Sequence, residues 1–386
     1  MQAGAATHSA AEQLLALLAG TYPENCDWAE VRRLATWHAV AELLAFRTGQ
    51  CLAVPSEIKA GLCATQHATA QNNLLLASEL LRIMEAFHGA GIEALAYKGP
   101  ALAVPYYGDI SRRSFGDLDV LLRPENLSGA RDVLEERGFV PWQEFAGLTA
   151  TQERAYLRSG YHFQYSRPDG STPIELHWNI APHLFGIAVP MEQLFRRAVS
   201  VQIGGRAVLA PCAEDHLVLL CIHGAKHMWD KLRLIADVAQ LIAATAAINF
   251  DQVLRFSSEL HARRMVLLGL NLAKSVFGTT LPDVVMTAVN EDTGVARLTT
   301  KVINNLPRCR SAEEYRLSAH RFYFDVLDRP RAKLRYLYRL TFEPSLNDAR
   351  LLGSSPAAAK AGGWLRPFRL AGAVMRHSFA GMFRRS

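Results

Sequence analysis

The sequence lacks any paired-cysteine motif. Its six cysteines (Cys26, Cys51, Cys63, Cys212, Cys221 and Cys309) are scattered, with no C-x-x-C pair and no metal-ligand spacing. That pattern excludes a disulfide framework or a zinc ribbon, and predicts a reduced, cytoplasmic chain whose thiols are mostly buried. No stretch approaches the ~20 apolar residues that a membrane-spanning helix requires. The N-terminus has no positive n-region, and Glu12 interrupts the early apolar stretch, so a secretory signal is not expected. Internal repeats are absent too. After Asp348 there is no acidic residue, while Arg350, Lys360, Arg366, Arg369, Arg376, Arg384 and Arg385 follow it. Those cations exceed the formal net charge of +6, leaving about −1 on residues 1–348. The basic balance therefore belongs to the tail, and no nucleic-acid groove is expected on the body.

What is present is an ordinary globular mixture, half apolar and one-fifth charged. Residues 1–90 read as a helical region, with Leu14, Leu15, Leu17 and Leu18 on one face and Leu74, Leu75, Leu80, Leu81 and Met84 at helical spacing from about Gln66 to His88. Between 91 and 210 the pattern becomes a mixed α/β core. Ile92–Tyr97 reads as a buried strand stopped by Lys98-Gly99-Pro100, and Asp117–Leu122 as a second strand closed by Arg123-Pro124. A helix follows to about Arg137, ended by Gly138. Tyr161–Ser166 and Pro173–Ile180 flank Pro168-Asp169-Gly170 and predict an antiparallel hairpin; Val201–Ile203 and Arg206–Leu209 predict another around Gly204-Gly205. From 211 to 348 the helical period returns, including one nearly continuous helix over Glu214–Ala243. Residues 349–386 form a Gly/Ala/Pro-rich linker and a basic tail. This order defines an α+β class, with a small mixed sheet between helical regions.

The chemistry concentrates at Gly116-Asp117-Leu118-Asp119-Val120. On a strand, alternate side chains share a face, so both carboxylates point one way while Leu118 and Val120 enter the core. Two like charges on one face call for a cation, and hard oxygen ligands on a rigid strand suit Mg²⁺. Alone, the pair is equally a solvated strand face. Lys98-Gly99 supplies a positive charge and a backbone free to approach a phosphate. Glu175 and His177 alternate onto one face of another strand, where Glu175 offers a third carboxylate and His177 a group to orient a ligand, or a satisfied strand histidine. Trp178 is expected in the core.

Lys98-Gly99-Pro100-Ala101-Leu102, Tyr106-Tyr107-Gly108-Asp109 and Arg113-Ser114-Phe115-Gly116-Asp117-Leu118-Asp119-Val120-Leu121-Leu122 together resemble the uncharacterised-nucleotidyltransferase family of the DNA polymerase β-like nucleotidyltransferase superfamily. Glu175-Leu176-His177-Trp178 looks like its third-acid element. His223-Gly224-Ala225-Lys226-His227-Met228-Trp229 with Leu232-Arg233 and Asp237 looks like its downstream helical element, and Leu334–Leu337 with Phe342, Glu343 and Asp348 like its C-terminal segment. The similarity covers roughly residues 70–348. One departure is that Pro100 follows Gly99 where the superfamily has serine, so Ser111 and Ser114 are the candidate hydroxyls.

The resemblance implies a transferase that moves a nucleoside monophosphate from a nucleoside triphosphate, expected to be ATP, to an acceptor hydroxyl or phosphate with release of pyrophosphate. It implies Mg²⁺, or Mn²⁺ in its place, on Asp117, Asp119 and Glu175. Lys98, Gly99, Arg113, His177, Lys226 and Arg233 are the implied nucleotide- and phosphate-binding residues. The acceptor is a small molecule, sugar, peptide or protein. The alternative is a catalytically inactive nucleotide-binding accessory protein. His223 and His227 share a helical face, but His-x-x-x-His without a glutamate is a weak zinc signal, and packing or pocket lining is preferred. Arg233 and Asp237 are spaced for an intrahelical pair. In the tail, Phe368, Ala371, Met375, Phe379 and Met382 recur at helical intervals among arginines, which suits peripheral contact with an anionic membrane or a partner as well as it suits a solubilising end.

Overall fold

The computed structural model describes residues 9–306 and 312–343, together with 346, 348 and 367, side chains of 312–317 excepted. Cys309 and the amphipathic positions expected along the tail lie outside the described residues.

Four helices come first, Ala10–Ala19, Trp28–Trp37, Ala41–Thr48 and Ser56–Gly89. The first starts where Ser9 and Glu12 cap each other's backbone donors. The fourth is longer than its apolar period suggested. Only its second half buries a regular stripe (Asn73, Leu76, Ala77, Leu80, Ile83, Phe87), which is why the sequence pattern begins late.

A five-stranded mixed sheet follows, built from β1 (Ala94–Ala96), β2 (Leu118–Leu122), β3 (Val140–Pro141), β4 (His162–Ser166) and β5 (Ile174–His177) in the order β1-β2-β5-β4-β3. The β2–β5 pair is parallel and the others antiparallel. The expected β4–β5 hairpin is present, as is the separate hairpin of β6 (Val199–Ile203) and β7 (Arg206–Ala210). Both faces of the sheet are covered. Leu118, Val120, Leu122, Ile174 and Leu176 pack with Leu80, Ile83, Phe87, Ala130 and Leu134 from the helices Ser56–Gly89 and Leu127–Glu136. On the other face Leu95, Tyr97 and Leu121 join Leu217, Leu219 and Leu220 of the helix Ala213–Lys226. The second face carries the acids, so they lie under a roof of helices.

The single helix expected over Glu214–Ala243 is two helices, Ala213–Lys226 and Leu232–Ala244. Met228 and Trp229 take positive φ between them, 52° and 54°, with no glycine or proline to announce the break. Trp229 is fully buried, and its indole lies where side chains at Gly224 and Gly269 would stand. Dense packing of one large ring fixes the turn. The described cysteines are all free, but Cys221 alone is buried and Cys63 is exposed, so the expectation of mostly buried thiols does not hold for them. No helix among the described residues is long and apolar enough to cross a membrane.

Candidate active site

The segment that delivers the acid pair is tied down from two sides. Asn73, fully buried on the long helix, donates from Nδ2 to the carbonyls of Ile110 (2.7 Å) and Arg113 (2.8 Å). From the roof, Asp237 takes a two-pronged grip on Arg113, at 2.6 Å from Nε and 2.9 Å from Nη2, and accepts a third bond from the Tyr107 hydroxyl at 2.7 Å. Arg233 Nη1 donates to the Ser114 carbonyl at 3.1 Å. The Arg233–Asp237 pair expected within one helix therefore gives way to longer-range partners. Arg113, expected to face phosphate, has its fork turned onto Asp237, because a planar guanidinium and a buried carboxylate satisfy each other bidentately.

Gly99 sits at φ 58°, ψ −127°, a region that side-chain-bearing residues avoid. A Cβ there would lie 3.4 Å from the Asp117 carbonyl and 3.6 Å from the Phe115 ring. Those are ordinary contact distances, so it is the backbone conformation of the turn after β1, rather than lack of space, that calls for glycine. That turn places Lys98 Nζ 2.6 Å from Asp119 Oδ1. Ser111, a candidate hydroxyl, accepts from Gln66 at 3.3 Å.

In-register parallel pairing sets Asp119 beside Glu175. Between the two carboxylates stands His177, whose Nε2 is 3.0 Å from Asp119 Oδ1 and 3.0 Å from Glu175 Oε2. Asp119 and Glu175 therefore share a face with His177 between them, while Asp117, expected on the strand, stands in the bend just before β2. Among the described residues, the donor atoms that gather as a metal-ligand group are those of His162, Glu175 and His177. His162 had no place in the sequence reading. Its signal was the hairpin itself, since pairing outward from Pro168-Asp169-Gly170 brings it opposite His177.

Electrostatics mark the site. Repulsion from Asp119, then burial, raises the Asp117 carboxyl above its ordinary range. Burial pushes Asp119 upward, but Lys98 and His177 outweigh it and hold that carboxyl low. Burial pushes Glu175 upward, but its hydrogen bond with His177 together with the charges of His177 and His162 draws it down to about 2. Above them, Lys226 lies against the Tyr161 ring, 4.4 Å from its centroid, and burial followed by the charge of Lys98 pushes its ammonium down to about 8. The rings of His223 and His227 are 4.6 Å apart, and among the described residues no third ligand gathers with them. Trp178 is buried against Tyr156 and Phe163, as expected.

A mixed sheet with Asp119 on β2, Asp117 in the bend just before it, Glu175 in register on the parallel neighbour and Lys98 and Lys226 beside them gathers acids and cations at one place. The chain belongs to the uncharacterised nucleotidyltransferase family, whose profile matches residues 24–278. No curated protein matches it. Among solved structures it is similar to the antibiotic-resistance factor ANT(2'')-Ia, at 13% identity over 52% of this chain and 98% of that one, with a TM-score of 0.36. It is also similar to an antigenic nucleotidyltransferase-like protein from Paracoccidioides brasiliensis, at 14% identity over 56% of this chain and 97% of that one, with a TM-score of 0.33.

Proposed function

We propose that this protein transfers a nucleoside monophosphate from a nucleoside triphosphate, ATP in the first instance, to the hydroxyl or phosphate of an acceptor. The observation that carries the reading is the in-register pairing of Asp119 with Glu175 beneath Lys98, with Asp117 immediately before β2. The donor set fits a hard divalent ion. Asp119 Oδ2 is buried with no hydrogen-bond partner, and Asp117 is a carboxyl short of positive charge. Mg²⁺, or Mn²⁺, held by Asp117 and Asp119 with Glu175 as the third acid, would supply charge neutralisation for the triphosphate and acidify the acceptor hydroxyl.

The chain's own residues do the rest. Lys98 is fixed over Asp119 and offers its charge where a phosphate would approach. Lys226 and Arg233 line the roof and are the remaining phosphate cations, while Arg113 acts by positioning the acid-bearing segment through Asp237. His177 keeps Asp119 and Glu175 from repelling each other. We place the acceptor among small molecules, sugars, peptides and proteins.

The test is incubation of the full chain with Mg²⁺ and each labelled nucleoside triphosphate in the presence of acceptor pools, reading pyrophosphate release. Asp119→Asn should lower that release by roughly 100-fold or more, the scale of losing a charged group that acts in the transition state. Full activity in Asp119→Asn would sink the assignment. Nucleotide binding without pyrophosphate release under any condition would assign the accessory role instead.

A further inference from the structure

The metal-ligand group formed by His162, Glu175 and His177 differs in chemistry from the aspartate pair beside it. Each of the three brings one donor atom to within 4.8 Å of the others. All come from the β4–β5 hairpin, where His162 opposes His177 and Gln164 opposes Glu175. His177 Nε2 lies 3.0 Å from Glu175 Oε2, and His162 Nε2 lies 3.8 Å from Glu175 Oε1. Donors held at ~2.1 Å around a tetrahedral dication stand about 3.4 Å apart, so small shifts from this hydrogen-bonded arrangement would bring the three donors onto one ion.

Ring orientation points the same way. The two imidazoles are nearly parallel, with centroids 5.2 Å apart and planes at 23°, and both turn Nε2 toward the Glu175 carboxylate, that of His177 standing also 3.0 Å from Asp119 Oδ1. His177 Nδ1 is 3.3 Å from the Asn179 carbonyl, the outer contact that typically fixes a metal-bound histidine with Nε2 inward. Two imidazoles and one carboxylate select a softer ion than Mg²⁺, which prefers an all-oxygen shell.

We propose that the β4–β5 hairpin carries a site for a transition-metal dication of the Zn²⁺ class, held by His162, Glu175 and His177, next to the hard-ion pair Asp117 and Asp119. It makes Glu175 the acid common to this site and the hard-ion pair. The site rests on the pocket's geometry and not on the transfer reaction.

The experiment uses the full chain stripped with chelator and titrated with Co²⁺, reading visible absorption, then Zn²⁺ or Mg²⁺ as competitor. One Co²⁺ per chain is expected, displaced by Zn²⁺ but not by millimolar Mg²⁺. Asp117→Asn should keep the band, and His162→Gln, with an unchanged thermal melt, should weaken Co²⁺ binding by roughly tenfold or more. No band in the parent protein, equal displacement by Mg²⁺, or undiminished binding by folded His162→Gln overturns the proposal. Should His162→Gln fail to fold, the Zn²⁺-against-Mg²⁺ competition decides by itself. Pyrophosphate release is measured separately: a Co²⁺ band without transfer sinks the transfer reading alone, and transfer without a band sinks this one alone.

Discussion

Arg113 and Asp237, 124 residues apart in sequence, close on each other in a buried two-bond fork that ties the acid-bearing segment to the roof. Removing one partner leaves an uncompensated buried charge, which costs about 3–5 kcal/mol. Asp237→Ala and Arg113→Ala should each lose that much in urea unfolding. The double variant Arg113→Met with Asp237→Leu should recover most of it. Single variants as stable as the parent protein would refute the fork's role.

Trp229 makes a second prediction. Its ring fills the space over Gly224 and Gly269, and a Cβ at Gly269 would lie 2.8 Å from it and 2.6 Å from Cys221 Sγ. Overpacking of this kind costs about 1–3 kcal/mol. Gly224→Ala should be destabilised by that amount, and Trp229→Phe introduced with it should cost less than the two separate losses combined. Simple additivity in a double-mutant cycle would show that the ring does not set the turn.

Acid stability should report His38. It is buried, its Nδ1 accepts from the Leu232 amide at 3.3 Å, and burial followed by the charge of Lys231 lowers its pKa from 6.5 to about 4. The unfolded chain then binds a proton near pH 6.5 that the folded chain refuses until about pH 4. The stability this group contributes is complete above pH 6.5 and is lost as pH falls toward 4, by about 3 kcal/mol at most. His38→Asn, which keeps an acceptor near the Leu232 amide, should flatten the fall in unfolding free energy across that window. Parallel profiles for the two proteins would exclude His38 as the source.

Nucleotide affinity should depend on Lys226. With its pKa near 8, the free ammonium is present below that pH and lost above it. Calorimetric titration with a nucleoside triphosphate should show binding weakening between pH 7 and 9. Lys226→Met should bind roughly tenfold or more weakly at pH 7, the scale of one charged hydrogen bond, with a flatter pH profile. An unchanged affinity at pH 7 would remove Lys226 from the phosphate-binding group.

Much of the sheet was legible because its strands obey a period of two and are punctuated by turns with chemical signatures. Pro168-Asp169-Gly170 announced the β4–β5 hairpin, and the alternation of Asp117, Leu118, Asp119 and Val120 separated the faces of β2. The resemblance named the family, and its residues Lys98, Asp119, His177 and Glu175 stand in an unbroken chain of contacts in that order. What stayed hidden depends on distant packing. Nothing local to Arg113 reveals that Asp237 occupies its fork. Met228 and Trp229 break a helix with residues that elsewhere continue one, because a buried indole decides the turn. His162 belongs to no motif, and only strand pairing carries it to His177.

The Arg113–Asp237 fork also sets a timetable. Closing a loop of that span in an unfolded chain costs about 4 kcal/mol of chain entropy beyond a constant, a cost far smaller for contacts near in sequence. A chain still emerging, with the helix Leu232–Ala244 not yet made, would carry both aspartates on a segment without its anchor. The anchor of the acid-bearing segment thus arrives with a later part of the chain, and that segment is held in place only once the helical roof exists.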